Sequence, residues 1–110
     1  MLIFTYFFWF LAGAFLANAI PHLVSGLTGR PFQTPFAKPP GIGLSRSTTN
    51  VLWAFANLAA GWALLFHIGQ FNASSLSNVG AAGLGALAIS LYLASHFGKL
   101  HGGDLAAIDR

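Results

Sequence analysis

Polar positions along this chain are few and bunched, and between them the apolar residues run on for long stretches. From about Leu2 to Ile20 only Thr5 and Asn18 are plainly polar. A second apolar run extends from about Val51 to Gly69, and a third from about Val79 to Phe97. A helix rises 1.5 Å per residue, so about 19 residues cover about 28 Å, close to the thickness of a bilayer's hydrocarbon core. Helices are required at that depth, because a backbone in lipid must satisfy its own hydrogen bonds and three strands cannot close a barrel. The boundaries carry stop and start signals. Pro21 removes a backbone donor and is expected to interrupt the first helix. Ser45, Ser47, Thr48, Thr49 and Asn50 offer N-caps to the second, and Ser74, Ser75, Ser77 and Asn78 precede the third, which is expected to end at Gly98. The pattern predicts an all-α integral membrane domain over 1–110, with spans at about 2–20, 51–69 and 79–97 and a loop over 21–50.

Composition supports this reading. Of 110 residues, 55% are hydrophobic and 6% charged, and the mean hydropathy is +0.68. A soluble domain carries about 25% charged residues to coat its surface. The chain has no cysteine, which excludes disulfides, iron–sulfur clusters, c-type haem attachment and thiolate zinc sites. Its pI near 10.0 rests on five dispersed Lys and Arg, not on the basic stripe a nucleic acid needs. No nucleic-acid partner is expected.

The charges also give a direction. Arg30, Lys38 and Arg46 lie between the first two spans, and Lys99 and Arg110 follow the third. Alternating spans place all five on one side, which the positive-inside rule makes cytoplasmic. The expectation is an N-terminus outside, a C-terminus inside and a cytoplasmic 21–50 loop. Aromatic residues Tyr6, Phe7, Phe8, Trp9 and Phe10 crowd the outer half of the first span, while Trp53 and Trp62 lie at interface depth. Ala17-Asn18-Ala19 has the form of a signal-peptidase site, but no basic residue precedes Arg30, so the first segment is read as a retained span. Asn72-Ala73-Ser74 matches a glycosylation acceptor and is read as accidental in so short a loop.

In lipid, helices associate through small residues and interhelical hydrogen bonds. The third span carries Ala82, Ala86, Ser90 and Ala94 at four-residue spacing, with Gly80, Gly83 and Gly85 near its outer end. The second has Ala54, Asn57 and Gly61 on one face and Ala56 and Ala60 on another; the first has Gly13, Ala14, Ala17 and Asn18. Three side-by-side spans bury little, so a second copy or another membrane subunit is an expected partner besides the lipid bilayer.

Intramembrane ionisable groups usually mark function, yet no Asp, Glu, Lys or Arg lies within a span. Transport through a buried carboxylate therefore has no residue to use. Histidine and asparagine remain. Asn18 and His22 lie four apart, as do Tyr92 and His96, and Asn57 lies at a depth like that of Asn18. These five are expected to converge at the inner leaflet, either as interhelical hydrogen bonds or as a site for a ligand or quinone head group. His67 lies at the other end of the second span, four residues after Ala63, a spacing that suits a macrocycle above a histidine. His22, His67 and His96 are thus the candidate cofactor ligands, for haem, quinone or pigment, with the cofactor itself unspecified. No metal site and no catalytic constellation is found, so no enzyme activity is expected.

The loop holds Pro31-Phe32 and Pro35-Phe36, followed by Pro39 and Pro40. Proline stiffens such a segment toward extended conformations, so it is expected to be ordered at the membrane surface, with Phe32 and Phe36 dipping into the interface or docking a partner. The string Ala17-Asn18, Pro21-His22, Gly29-Arg30-Pro31-Phe32-Gln33-Thr34-Pro35-Phe36-Ala37-Lys38-Pro39-Pro40-Gly41 and Asn50-Val51-Leu52-Trp53 resembles a block shared by a family of small bacterial multi-span membrane proteins. The resemblance covers about a third of the chain and implies no activity. In the tail, Leu105 to Ile108 are expected to form a short interfacial turn.

The sequence thus points to a non-catalytic protein of the bacterial inner membrane, an accessory or structural subunit of a larger respiratory or photosynthetic complex. Two alternatives stand beside it: a self-assembling small transporter or channel lined by Asn18, Asn57 and Ser90, and a membrane anchor for haem, quinone or pigment.

Overall fold

The computed structural model describes residues 2–103. Three helices, α1 (Leu2–Leu27), α2 (Ser47–Phe66) and α3 (Leu76–His101), carry most of the chain. The α1–α2 connection contains a short antiparallel ladder of β1 (Phe32–Gln33) and β2 (Leu44–Ser45), with Phe32 opposite Ser45 and Gln33 opposite Leu44. All three helices are long and apolar enough to cross a membrane. The interfacial turn expected at Leu105 to Ile108 lies outside the described residues.

The helix ends differ from the sequence expectation, each for a local reason. α1 does not stop before Pro21; it continues to Leu27 with Pro21 inside it. A proline removes one backbone donor, and membrane helices tolerate that loss where neighbouring elements pack around the freed carbonyl. α2 starts at Ser47, so Ser47, Thr48, Thr49 and Asn50 form its first turn instead of capping it, and the cap position is Arg46, with no side-chain hydrogen bond. α3 starts earlier than expected, capped by Ser75, whose Oγ accepts from Asn78 N. It also runs past Gly98 to a left-handed Gly102, a conformation that glycine adopts without strain. α1 and α3 are thus each about 39 Å long, against a hydrocarbon core of about 30 Å.

α1 is the central helix. Both α2 and α3 pack on it and scarcely on each other, giving a flat molecule of 42 × 37 × 22 Å. Backbone-to-backbone approach makes this possible. A Cβ at Gly13 would run into the Ala82 carbonyl, one at Gly85 into the Phe10 carbonyl, and one at Gly61 into Leu16 and the Ala12 carbonyl. The glycines of α3 are therefore not equivalent: Gly80 and Gly83 have open space around the missing Cβ. On α2, Ala54, Asn57 and Gly61 are all buried, so this face, and not that of Ala56 and Ala60, meets α1.

Burial is inverted relative to a water-soluble protein. The buried apolar residues are Trp9, Ala12, Ala19, Ala54 and Leu65, while His22, Gln33, Thr34, Asn50, Asn57 and Asn78 are buried polar ones. Large apolar side chains such as Phe4, Phe7, Leu52, Phe55, Leu84 and Leu91 point outward, where lipid is their solvent. At the end bearing the α2–α3 connection, Tyr6 Oη pairs with Ser77 Oγ at 2.9 Å and accepts from Asn78 Nδ2 at 3.2 Å, and Trp9 Nε1 donates to Ile68 O at 3.0 Å. These bonds tie the starts of α1 and α3 together.

Replacing Gly85 by valine should separate α3 from α1, because overpacking a close contact costs about 1–3 kcal/mol. Gly83→Ala should be neutral. Reversible unfolding in mixed micelles, followed by far-ultraviolet circular dichroism, checks the contrast; equal effects would refute the assignment of the crossing point.

Candidate functional site

At the opposite end, α1, α2, α3 and the β1–β2 connection meet, and the asparagines of α2 organise the junction. Asn50 is fully buried. Its Nδ2 donates to the carbonyls of Phe32 (3.2 Å), Ser45 (3.2 Å) and Arg46 (3.0 Å), and its Oδ1 lies 2.7 Å from His22 Nδ1. Carbonyls accept only, so the amide orientation is fixed. His22 Nδ1 must then carry the proton, and in the neutral ring Nε2 is an acceptor. Among the described residues, Nε2 has no partner.

The same logic applies one level deeper. Asn57, also buried, donates from Nδ2 to Trp53 O at 2.8 Å, so its Oδ1 accepts from Asn18 Nδ2 at 2.9 Å. That leaves Asn18 Oδ1 as an unspent acceptor. On α3, His96 Nε2 lies 2.7 Å from Gly41 O and must be the donor, leaving Nδ1 free to accept. Gly41 adopts φ 73°, a left-handed turn suited to glycine, and its own N–H closes the turn on Thr34 O at 2.8 Å. Tyr92 stacks on His96 at 6.0 Å. His101 Nε2 lies 2.7 Å from Gln33 Oε1, and the His101 ring stacks on Phe32 at 5.3 Å.

These groups surround two adjoining cavities. The first, about 160 Å3, is walled by Asn18, His22, Gln33, Thr34, Tyr92 and His96, together with Pro35, Gly41, Trp53, Leu93 and Phe97. The second, about 300 Å3, lies toward the middle of the helices among Leu11, Ala14, Phe15, Asn57 and Ile89. Asn18, Trp53, Tyr92 and Leu93 line both. Among the described residues, no Asp, Glu, Lys or Arg lines either one. The Trp53 indole nitrogen is buried without a hydrogen-bond partner, a deficit worth about 1–3 kcal/mol. The arrangement can hold a neutral, polar, ring-sized group at one end and an apolar extension at the other.

Of the five residues expected to converge, Asn18, His22, Tyr92 and His96 line the smaller cavity, and Asn57 joins through Asn18. His67 lies at the far end of α2, exposed, with its ring against Trp62 at 4.8 Å, and so is separate from His22 and His96. Phe32 is half-buried: it packs on His22, Phe97 and His101 and also lines an open groove with Ala17, Ile20 and Pro21. Phe36 is 63% exposed and leans on Trp53 at 5.0 Å. Ser90 lies on a different surface, with Ala17, Ile20 and Ala94, so one copy does not align it with Asn18 and Asn57. Among the described residues, no group of three His, Cys, Asp or Glu is placed to hold a metal ion.

Sequence reasoning missed Gln33, Thr34 and His101, and read Asn50 only as a cap. A signal for Asn50 did exist: Asn50, Ala54, Asn57 and Gly61 recur at spacings of four, three and four, one face of a helix. Gln33 and Thr34 had no such signal, because the ladder that buries them depends on contacts distant in sequence. Comparison with protein-family models, curated proteins and solved structures returns no match, so function rests on this geometry.

Asn50→Leu should destabilise the protein by about 3 kcal/mol, since it strands a buried imidazole N–H and two carbonyls. Asn57→Leu, which strands the Asn18 amide, should cost about 1 kcal/mol. Thermal unfolding of both variants in the same detergent would test the ranking, and a reversed order would contradict it.

Proposed function

We propose that this protein is a non-catalytic integral protein of the bacterial inner membrane that holds a lipid-soluble amphiphile. The amphiphile's polar head occupies the cavity beside His22 and its apolar part follows the adjoining cavity toward the bilayer centre. The carrying observation is the shared wall of Asn18, Trp53, Tyr92 and Leu93, which joins a ring-sized space with several polar side chains in its largely apolar lining to a larger space with fewer. His22 lies about 7.5 Å from the end of α1, so the head would sit toward one end of the helices and not at their middle.

The test is saturable binding of a ring-brominated alkylphenol to the protein in lipid nanodiscs. Quenching is read from Trp53 in a variant with Trp9→Phe and Trp62→Phe. Leu93→Phe, which fills the shared wall without adding a fluorophore that competes with Trp53, should remove the saturable component. Quenching that rises only linearly, as for partition into lipid, would reject the reading.

The proposed orientation sets the β1–β2 connection in the cytoplasm. Its support is the distribution of charge: Arg30, Lys38, Arg46 and Lys99 all belong to the same end of the molecule. In this cysteine-free chain, Asn72→Cys should react with an impermeant maleimide added to intact cells, and Thr28→Cys should react only after lysis. The opposite pattern would invert the topology.

Membership of a larger membrane complex is a second reading, favoured by the groove between α1 and α3. Gly13, Ala17, Ala82, Gly83 and Ala86 floor it without covering it, and its lining suits a membrane-spanning helix of another subunit. Native mass measured directly from membranes decides this, with a lone monomer counting against it.

A further inference from the structure

Resting on the ligand-holding function just proposed, we infer that the preferred head group is a dihydroxylated aromatic ring, a quinol, and that the cavity discriminates against the corresponding quinone. Size comes first. A cavity of about 150 Å3 accepts benzene, and the polar cavity here measures about 160 Å3, enough for one six-membered ring. Its walls include the aromatic faces of Trp53, Tyr92 and Phe97, against which a ring packs edge-on or offset.

Charge narrows the choice. With no ionic side chain among the described residues of the lining, a phosphate or carboxylate would be desolvated without a counter-charge. The head must be neutral.

Hydrogen-bond polarity narrows it further. The carbonyls of Phe32, Ser45 and Arg46 fix Asn50, and Asn50 fixes the His22 tautomer. The carbonyl of Trp53 fixes Asn57, and Asn57 fixes Asn18. The carbonyl of Gly41 fixes His96. Three independent chains of reasoning therefore end in three acceptors without a partner among the described residues, His22 Nε2, Asn18 Oδ1 and His96 Nδ1, each on a side chain that lines the cavity. A ligand must bring O–H donors to satisfy any of them: a quinol brings two, enough for two of the three, and a quinone brings none. Donors in the wall do not reverse the preference, because a hydroxyl oxygen accepts from an indole or phenol as a carbonyl does.

The experiment compares a decyl-substituted benzoquinol, kept reduced under argon, with its benzoquinone and with the brominated alkylphenol, all on the intact protein in nanodiscs. The expected result is a quinol Kd at least tenfold below that of the quinone. His22→Phe should raise the quinol Kd about fivefold to tenfold and shift the quinone Kd less than twofold. A second readout needs no variant: in protein carrying 15N-labelled imidazoles, quinol should move the His22 Nε2 resonance and quinone should not. Equal affinities, tighter quinone binding or an unmoved Nε2 resonance overturns the inference. If the alkylphenol still binds saturably in that case, the amphiphile-holding function survives alone; if none of the three binds, both fall.

Discussion

One buried amide holds the functional end of this molecule together. Asn50 spans four pieces of structure at once: α1 through His22, β1 through Phe32, β2 through Ser45 and the start of α2 through Arg46. Asn50 is fully buried, and a buried carbonyl or N–H left unpaired carries the whole cost of its desolvation. The connection between α1 and α2 therefore folds where it does because its carbonyls find donors there. The ladder then sets Phe32 against Phe97 and His101, and sets Gly41 against His96. Remove the amide and the ladder loses its reason to lie against the helices.

Lipid as the solvent explains the inverted interior. Apolar side chains gain nothing by leaving lipid, so they stay outside, and the space between helices goes to glycine, alanine and asparagine. Close approach at Gly13, Gly61 and Gly85 makes α1 the shared partner of both other helices. Toward the β1–β2 end, the aromatic and imidazole side chains of Trp53, Tyr92 and His96 occupy the wedge around α1. The cavities arise in that wedge, and their polarity comes from the groups the backbone carbonyls have already oriented.

Part of the site was legible in the sequence. The four-residue spacings Asn18–His22 and Tyr92–His96 each lie on one helix, where local geometry alone puts two side chains on one face. Their common depth followed from counting along the spans. Pro21 misled, since proline ends helices in water, but α1 continues through it here. The packing of Phe32 on His22, Phe97 and His101 was not legible for a related reason: it depends on β2, which begins eleven residues beyond the end of β1. Gln33 and Thr34 are buried by the same long-range pairing, so no local pattern announces them.

By itself, the sequence determined the solvent, the number of helices and the concentration of charge at one end, because hydropathy and charge are summed along the chain and need no partner. It also determined which side chains share a helix face, since 3.6 residues per turn is a local rule. Only the tertiary structure decided which of those faces meet, which histidine nitrogens are spent and which remain free to accept. Those outcomes depend on carbonyls brought together from Phe32, Gly41, Ser45, Arg46 and Trp53. A hydrogen bond's direction is set by its partner, and the partners here are placed by folding rather than by spacing.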